Sequence, residues 1–427
     1  MLGFEQSRFV VLVAKKSKCL KLFCVKIILR KPFAVCVRHR ILPNQLVLHR
    51  GDKDFYLLLQ YSTFCGSSRC SFPAIVSGAY LDRFISNLIK VLGIATALHT
   101  DLKQRNHWIQ FFRAIAIIAV VMIHTTPEGW HQLYVQPWTN FAVATFLFLS
   151  GYLTNIESKD WSALCRRRIR RVMVPYVVWA VIYSLPYVVK EGVGTLIPGL
   201  LKAAWCPPLY YILVYVQLVL LTPLLARLAR SKYRHIGWWL APLTLLLFKY
   251  DSCWGGNLDV CFNWLWPDLC YFFFAWLTFY YFGLMLGNRV ITLPRFSLGT
   301  LFVGYLCAVG LQIAEGHCWV NLGWGSAGSQ LTLTAMLSSI VFLWFVHEVV
   351  QSMQHRSVAT VWQSLGNYSF GIYLSHILVM TILKRIPYYE SLPFPLNAVV
   401  VVLIAWWGCV VGYKWLPPRV NQWLGLK

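Results

Sequence analysis

A chain of 427 residues with 58% hydrophobic and only 13% charged side chains departs from soluble domains, in which about a quarter of residues are charged. Twenty Trp, 22 Tyr and 26 Phe suit the two interfaces of a bilayer, so the chain reads as an all-α polytopic membrane protein. The net charge of +24 does not signal nucleic acid: beyond residue 105 the 22 Lys+Arg, set against 10 Asp+Glu, gather between apolar segments, as topology signals do.

Residues 1–105 hold 17 Lys+Arg and 5 Asp+Glu. Lysines interrupt "VAKKSKCLKLFCVKIILRK" too often for a span, and "FVVLVA" is too short for a signal-peptide core. "FISNLIKVLGIATAL" suits a short amphipathic helix on a membrane surface. This part reads either as a basic cytoplasmic extension or as the product of a start site assigned too far upstream, and no function is placed in it. The thirteen cysteines are scattered without a zinc spacing; inside apolar helices they act as small hydrophobes. Cys253 and Cys261 share one outer loop and are candidates to pair.

From residue 106 to 415 the pattern is that of a membrane domain, followed by a short cytoplasmic tail at 416–427. Ten apolar segments near spanning length fall at 108–127, 138–154, 172–190, 208–227, 236–250, 269–288, 296–314, 330–349, 367–386 and 396–414, the second and fifth being short. With the N-terminus inside, the inner loops hold thirteen cations, six of them between Lys159 and Arg171, and the outer loops hold five. That bias predicts ten helices with both termini cytoplasmic.

Ionisable residues at bilayer depth are costly, so they are paired or functional by default. "RAIAIIAVVMIH" runs from Arg113 to His124, eleven positions apart. Eleven helical steps are three turns plus roughly 20°, which sets both side chains on one stripe about 16 Å apart. Arg113 alone also reads as a cation snorkelling to the inner headgroups, and His124 alone as a histidine wetted at the outer surface. A shared stripe favours one water-filled path for both. "CRRRIRRVMVPY" packs five arginines into six residues before the third span. They serve topology by themselves, and Arg168 and Arg171, one turn apart, also form a fork for phosphates. Ser150 and Gly151 in "FLFLSGYL" read first as close helix packing. A Ser-His dyad is declined because His124 lies toward the opposite face. His376 in "SFGIYLSHIL" reads as a packed histidine or as a second polar member of the site. There is no HExxH, no GxxxxGK[ST] and no cofactor fingerprint, so no metal and no bound cofactor is expected.

Taken together, these motifs resemble the acyltransferase-3 family of integral-membrane acyltransferases. The Arg-x10-His of the first span is Arg113 and His124. The "SGY" closing the second is Ser150 to Tyr152, and the Arg-x-x-Arg-x-x-x-Pro-Tyr entry to the third is Arg168, Arg171, Pro175 and Tyr176. "YYILVYVQLVLLTPLL" from Tyr210 is similar to the aromatic fourth span, with Tyr-Tyr where relatives often have Trp-Tyr or Trp-Phe, and "SFGIYLSH" to the ninth. The resemblance covers about residues 105–415.

It implies transfer of an acyl group, commonly acetyl, from cytoplasmic acyl-CoA as co-substrate to a hydroxyl of a cell-surface glycan or its lipid-linked precursor, in the inner (cytoplasmic) membrane. Arg113 and His124 become the catalytic pair and Arg168 and Arg171 the donor-side cations. Ser150, Tyr210 and His376 complete the substrate-binding set. The expected partners are acyl-CoA, the saccharide acceptor and the lipid bilayer, with no nucleic acid. A transporter or flippase for a glycan or small anion also suits ten spans with buried ionisable groups, although no internal repeat is evident.

Overall fold

The computed structural model covers the 427-residue chain. It describes residues 107–158, 160–251, 269–323, 328–353 and 356–426, with six short strand segments between residues 10 and 70. The amphipathic stretch before residue 100 and the Cys253–Cys261 pair lie outside the described residues. The chain divides into two units, Met1–Thr96 and Ala97–Lys427.

In the first unit, three antiparallel two-stranded ladders are described: β1 (Val10–Leu12) with β2 (Cys24–Lys26), β3 (His49–Arg50) with β4 (Phe55–Tyr56), and β5 (Thr63–Cys65) with β6 (Ser68–Cys70). Ladders this short stabilise little by themselves.

The second unit is helical throughout its described residues. In order come α1 (His107–Thr125), α2 (Trp130–Tyr134), α3 (Phe141–Tyr152), α4 (Trp161–Glu191) and α5 (Leu196–Lys202). Then follow α6 (Tyr210–Arg230), α7 (Leu240–Phe248), α8 (Leu277–Gly287), α9 (Leu298–Asn321) and α10 (Leu333–Ser352). The chain closes with α11 (Thr360–Asn367), α12 (Ser369–Leu383), α13 (Pro387–Glu390), α14 (Leu396–Trp415) and α15 (Pro418–Trp423).

Each of the ten apolar segments falls on a helix, and six of those helices are long and apolar enough to cross a membrane: α1, α4, α6 with the turn before it, α9, α10 and α14. They show the two faces such a helix needs. On α4, Tyr176, Trp179, Ala180 and Tyr183 are buried while Val177, Val181, Leu185 and Val189 are exposed. The buried set follows the i, i+3, i+4 spacing of a helix face and the exposed set the i, i+4 spacing of another. Exposed valines and leucines at that spacing are at home against lipid tails.

The other four are shorter than a bilayer core, and two of them, α3 and α8, are surrounded mostly by protein. Every residue of α8 from Leu277 to Leu286 is buried, as are nine of the twelve in α3. The two helices meet backbone to backbone: a methyl group added at Gly151 would strike the Leu284 amide, and one at Gly283 or Gly287 the end of α3 around Phe148 and Tyr152. The small-residue reading of Gly151 is what the structure shows, and glycines on both partners make the close approach possible.

One boundary differs from expectation. The third segment was expected to start at 172, but α4 starts at Trp161, with Asp160 as N-cap accepting from the Ala163 amide. At 31 residues this helix is about 46 Å long, well beyond the ~30 Å hydrocarbon core. Its surplus carries the arginines, so they are held on a rigid rod and not on a loop.

Candidate active site

A cavity of ≈ 590 Å³ opens among α1, α3, α4, α6 and α12. Its wall takes Arg113 from α1, Ser150 from α3, Arg167, Arg168, Arg170 and Arg171 from α4, Tyr211 and Tyr215 from α6, and Ser369 and Tyr373 from α12. Among the described residues no carboxylate lines it. Five guanidiniums facing one concave space, with no acidic partner among the described lining residues, give it a positive potential that can hold an anion.

The arginines are not equivalent. Arg168 is half-buried and tied to the end of α3, its guanidinium donating to Thr154 Oγ1 and, at 3.4 Å, to the Leu153 carbonyl. Arg167, Arg170 and Arg171 are exposed. Sequence reading singled out Arg168 and Arg171 and passed over Arg167 and Arg170, although the run itself carried the signal. On a helix the four positions sweep about 160° of the perimeter, so a cavity along that side meets all of them. Arg113 lies on the cavity wall, half-buried, so the snorkelling reading does not describe it.

His124 is placed differently. It does not line the cavity; its ring centroid is 5.4 Å from that of His376 on α12. His376 is buried, with Nδ1 2.7 Å from the Tyr373 carbonyl oxygen. Tyr373 belongs to the cavity wall, and its ring is 6.1 Å from His376. It is fixed by a hydrogen bond from its hydroxyl to the Pro208 carbonyl, and Tyr211 lies 5.6 Å from it, centroid to centroid. Of the two residues expected on one path, this cavity takes in Arg113 and not His124. Tyr373 therefore both lines the cavity and lies against His376, whose ring pairs with that of His124.

A second correction concerns Tyr210. It packs against Tyr271 and Trp276, at 5.6 and 6.2 Å between ring centroids, and Tyr211 takes the cavity position. Adjacent helical residues point about 100° apart, and the rotation of α6 chose between them. Ser150 does line the cavity; Thr154 Oγ1 donates to its carbonyl. The tail was expected to be a mere cytoplasmic end. It folds back as α15 instead, and Gln422, Trp423 and Gly425 form part of the wall. Trp179 on α4 donates to the Leu424 carbonyl at 3.2 Å, Leu426 is 5% exposed, and Asn421 donates to the Tyr413 and Leu416 carbonyls.

Helices long and apolar enough to cross a membrane thus surround a cavity walled by arginines, and the His124–His376 ring pair lies against Tyr373 of that wall. Residues 106–414 match the family model described as an acyltransferase domain, so the chain belongs to the acyltransferase-3 family. Neither the curated proteins nor the solved structures gave a match.

Proposed function

We propose that this membrane acyltransferase moves an acetyl group from cytoplasmic acyl-CoA to a hydroxyl of a cell-surface glycan or its lipid-linked precursor. It does so in the cell membrane, with ten spans and both termini inside. The observation that carries the reading is the cavity wall of five arginines without a carboxylate, in a chain of this family. Coenzyme A brings several phosphates, and guanidiniums bind phosphate in bidentate fashion. Arg167, Arg168, Arg170 and Arg171 receive the nucleotide end at the mouth, and the acyl-pantetheine arm runs inward past Arg113 and Ser150 to Tyr211 and Tyr373. Displacement of the Tyr373 ring then brings the thioester to His124.

His124 acts as general base. It takes the proton of the acceptor hydroxyl as the oxygen attacks the thioester carbonyl, the C–S bond breaks, and the proton returns to the departing thiolate. Arg113 holds the donor along the path or stabilises charge that develops on it.

The test uses purified full-length protein in detergent with radiolabelled acetyl-CoA and a panel of free and lipid-linked saccharides. Label in saccharide that disappears in His124→Ala supports the reading. Full transfer by His124→Ala removes the base. Saccharide or anion movement across vesicles without any acyl transfer replaces the enzyme by a transporter.

A further inference from the structure

Buried polar atoms nearly always find a partner, and His376 leaves one without. Its side chain is 1% exposed, and Nδ1 sits 2.7 Å from the Tyr373 carbonyl oxygen. A carbonyl oxygen only accepts, so Nδ1 carries the proton. In a neutral imidazole that makes Nε2 a bare lone pair. Nε2 is the atom that is buried without a hydrogen-bond partner.

Hydroxyls on α12 and against it are already engaged. Tyr373 donates to the Pro208 carbonyl, Ser375 to the Gly371 carbonyl at 2.9 Å, and Tyr183 to the Leu374 carbonyl at 2.7 Å. Tyr183 also accepts from the Leu378 amide at 3.1 Å. His124 remains, its ring centroid 5.4 Å away and tilted by 41°. At that separation a ring nitrogen of one imidazole meets a ring nitrogen of the other after a modest turn of the His124 ring. Such contacts commonly tighten only once substrate is bound.

We propose that Nε2 of His376 is the acceptor for one N–H of His124, a positioning contact that sets the tautomer of the base. This rests on the reading of His124 as general base. With one ring nitrogen of His124 donating to His376, its other nitrogen is left as a lone pair for the acceptor hydroxyl. When His124 takes that proton and becomes an imidazolium, the N–H···N bond to His376 becomes charge-assisted and stronger. The proton then leaves His124 for the thiolate. His376 exchanges no proton, and the Tyr373 carbonyl keeps its Nδ1–H in place throughout.

His376→Asn is the test, because the asparagine amide reaches the Tyr373 carbonyl from the place of Nδ1 and deletes Nε2. With radiolabelled acetyl-CoA and a saccharide acceptor that the wild-type protein acetylates, kcat falls roughly 10²-fold while the donor KM stays within about twofold. The double variant His124→Ala/His376→Asn is no slower than His124→Ala, since one residue acts through the other. His376→Gln, whose amide oxygen reaches the place of Nε2, recovers most of the lost kcat and keeps the inference testable should His376→Asn fail to fold. Unchanged kcat in His376→Asn, independent losses in the double variant, or His376→Gln no better than a folded His376→Asn would each overturn it. Full activity of His124→Ala would instead remove the reading beneath it.

Discussion

Gly283→Ala tests whether the contact between α3 and α8 holds the cavity in shape. A methyl group at this position would lie 2.8 Å from the Phe148 carbonyl carbon and 2.9 Å from the Tyr152 amide nitrogen, both backbone atoms of α3, where ordinary contact begins at 3.4 Å. The Phe148 carbonyl oxygen would be closer still, and no rotamer relieves a clash with backbone, so the helices must part by about an ångström or more. Overpacking of this kind costs about 1–3 kcal/mol. The displaced end of α3 carries Leu153 and Thr154, the two residues that hold the Arg168 guanidinium. Thermal unfolding in detergent should drop by several degrees, at about 2–4 °C per kcal/mol, and donor KM should rise because Arg168 loses its seat. Gly310→Ala is the control, with nothing within 4 Å of the added methyl on an exposed position of α9. It should match the wild type or gain slightly from better helix propensity. If Gly283→Ala melts and turns over like Gly310→Ala, the close approach of α3 and α8 does not govern the site.

Three further outcomes follow from the cavity wall and the tail that completes it. The double variant Arg168→Gln/Arg171→Gln removes two cations at the mouth, and each charged hydrogen bond lost costs about 1.5–3 kcal/mol. Donor KM should therefore rise by at least about tenfold, and the salt dependence of donor binding should weaken, while acceptor preference stays as it was; steady-state kinetics across ionic strength check this. Truncation after Trp415 removes the Trp179–Leu424 bond and the Gln422, Trp423 and Gly425 wall. It should raise donor KM with kcat less affected, and Leu426→Ala should lower the melting temperature through loss of a buried side chain, by on the order of 2–5 kcal/mol.

What the sequence determined by itself is everything set by local periodicity and local chemistry. The ten apolar segments each located a helix, six of them long and apolar enough to cross a membrane, because a helix satisfies its own backbone where water is absent. The arginine run announced a concentration of positive charge, which lines a cavity, and the glycine beside Ser150 announced close packing. Even the early start of α4 was written in Asp160, an N-cap residue just before Trp161. Tertiary structure decided which residues share a space. Tyr210 and Tyr211 are equivalent to any pattern, and only the rotation of α6 against α8 and α12 turned Tyr211 toward the arginines. Arg113 and His124 do lie on one helix, but the cavity that takes in Arg113 is completed by Tyr373, from more than 240 residues later in the chain, and leaves His124 out. The tail offered no periodicity to read; its place in the wall comes from a pocket among Trp179, Phe370 and Leu374. Helical spacing is a property of neighbours in sequence, whereas a cavity belongs to residues that only packing brings together.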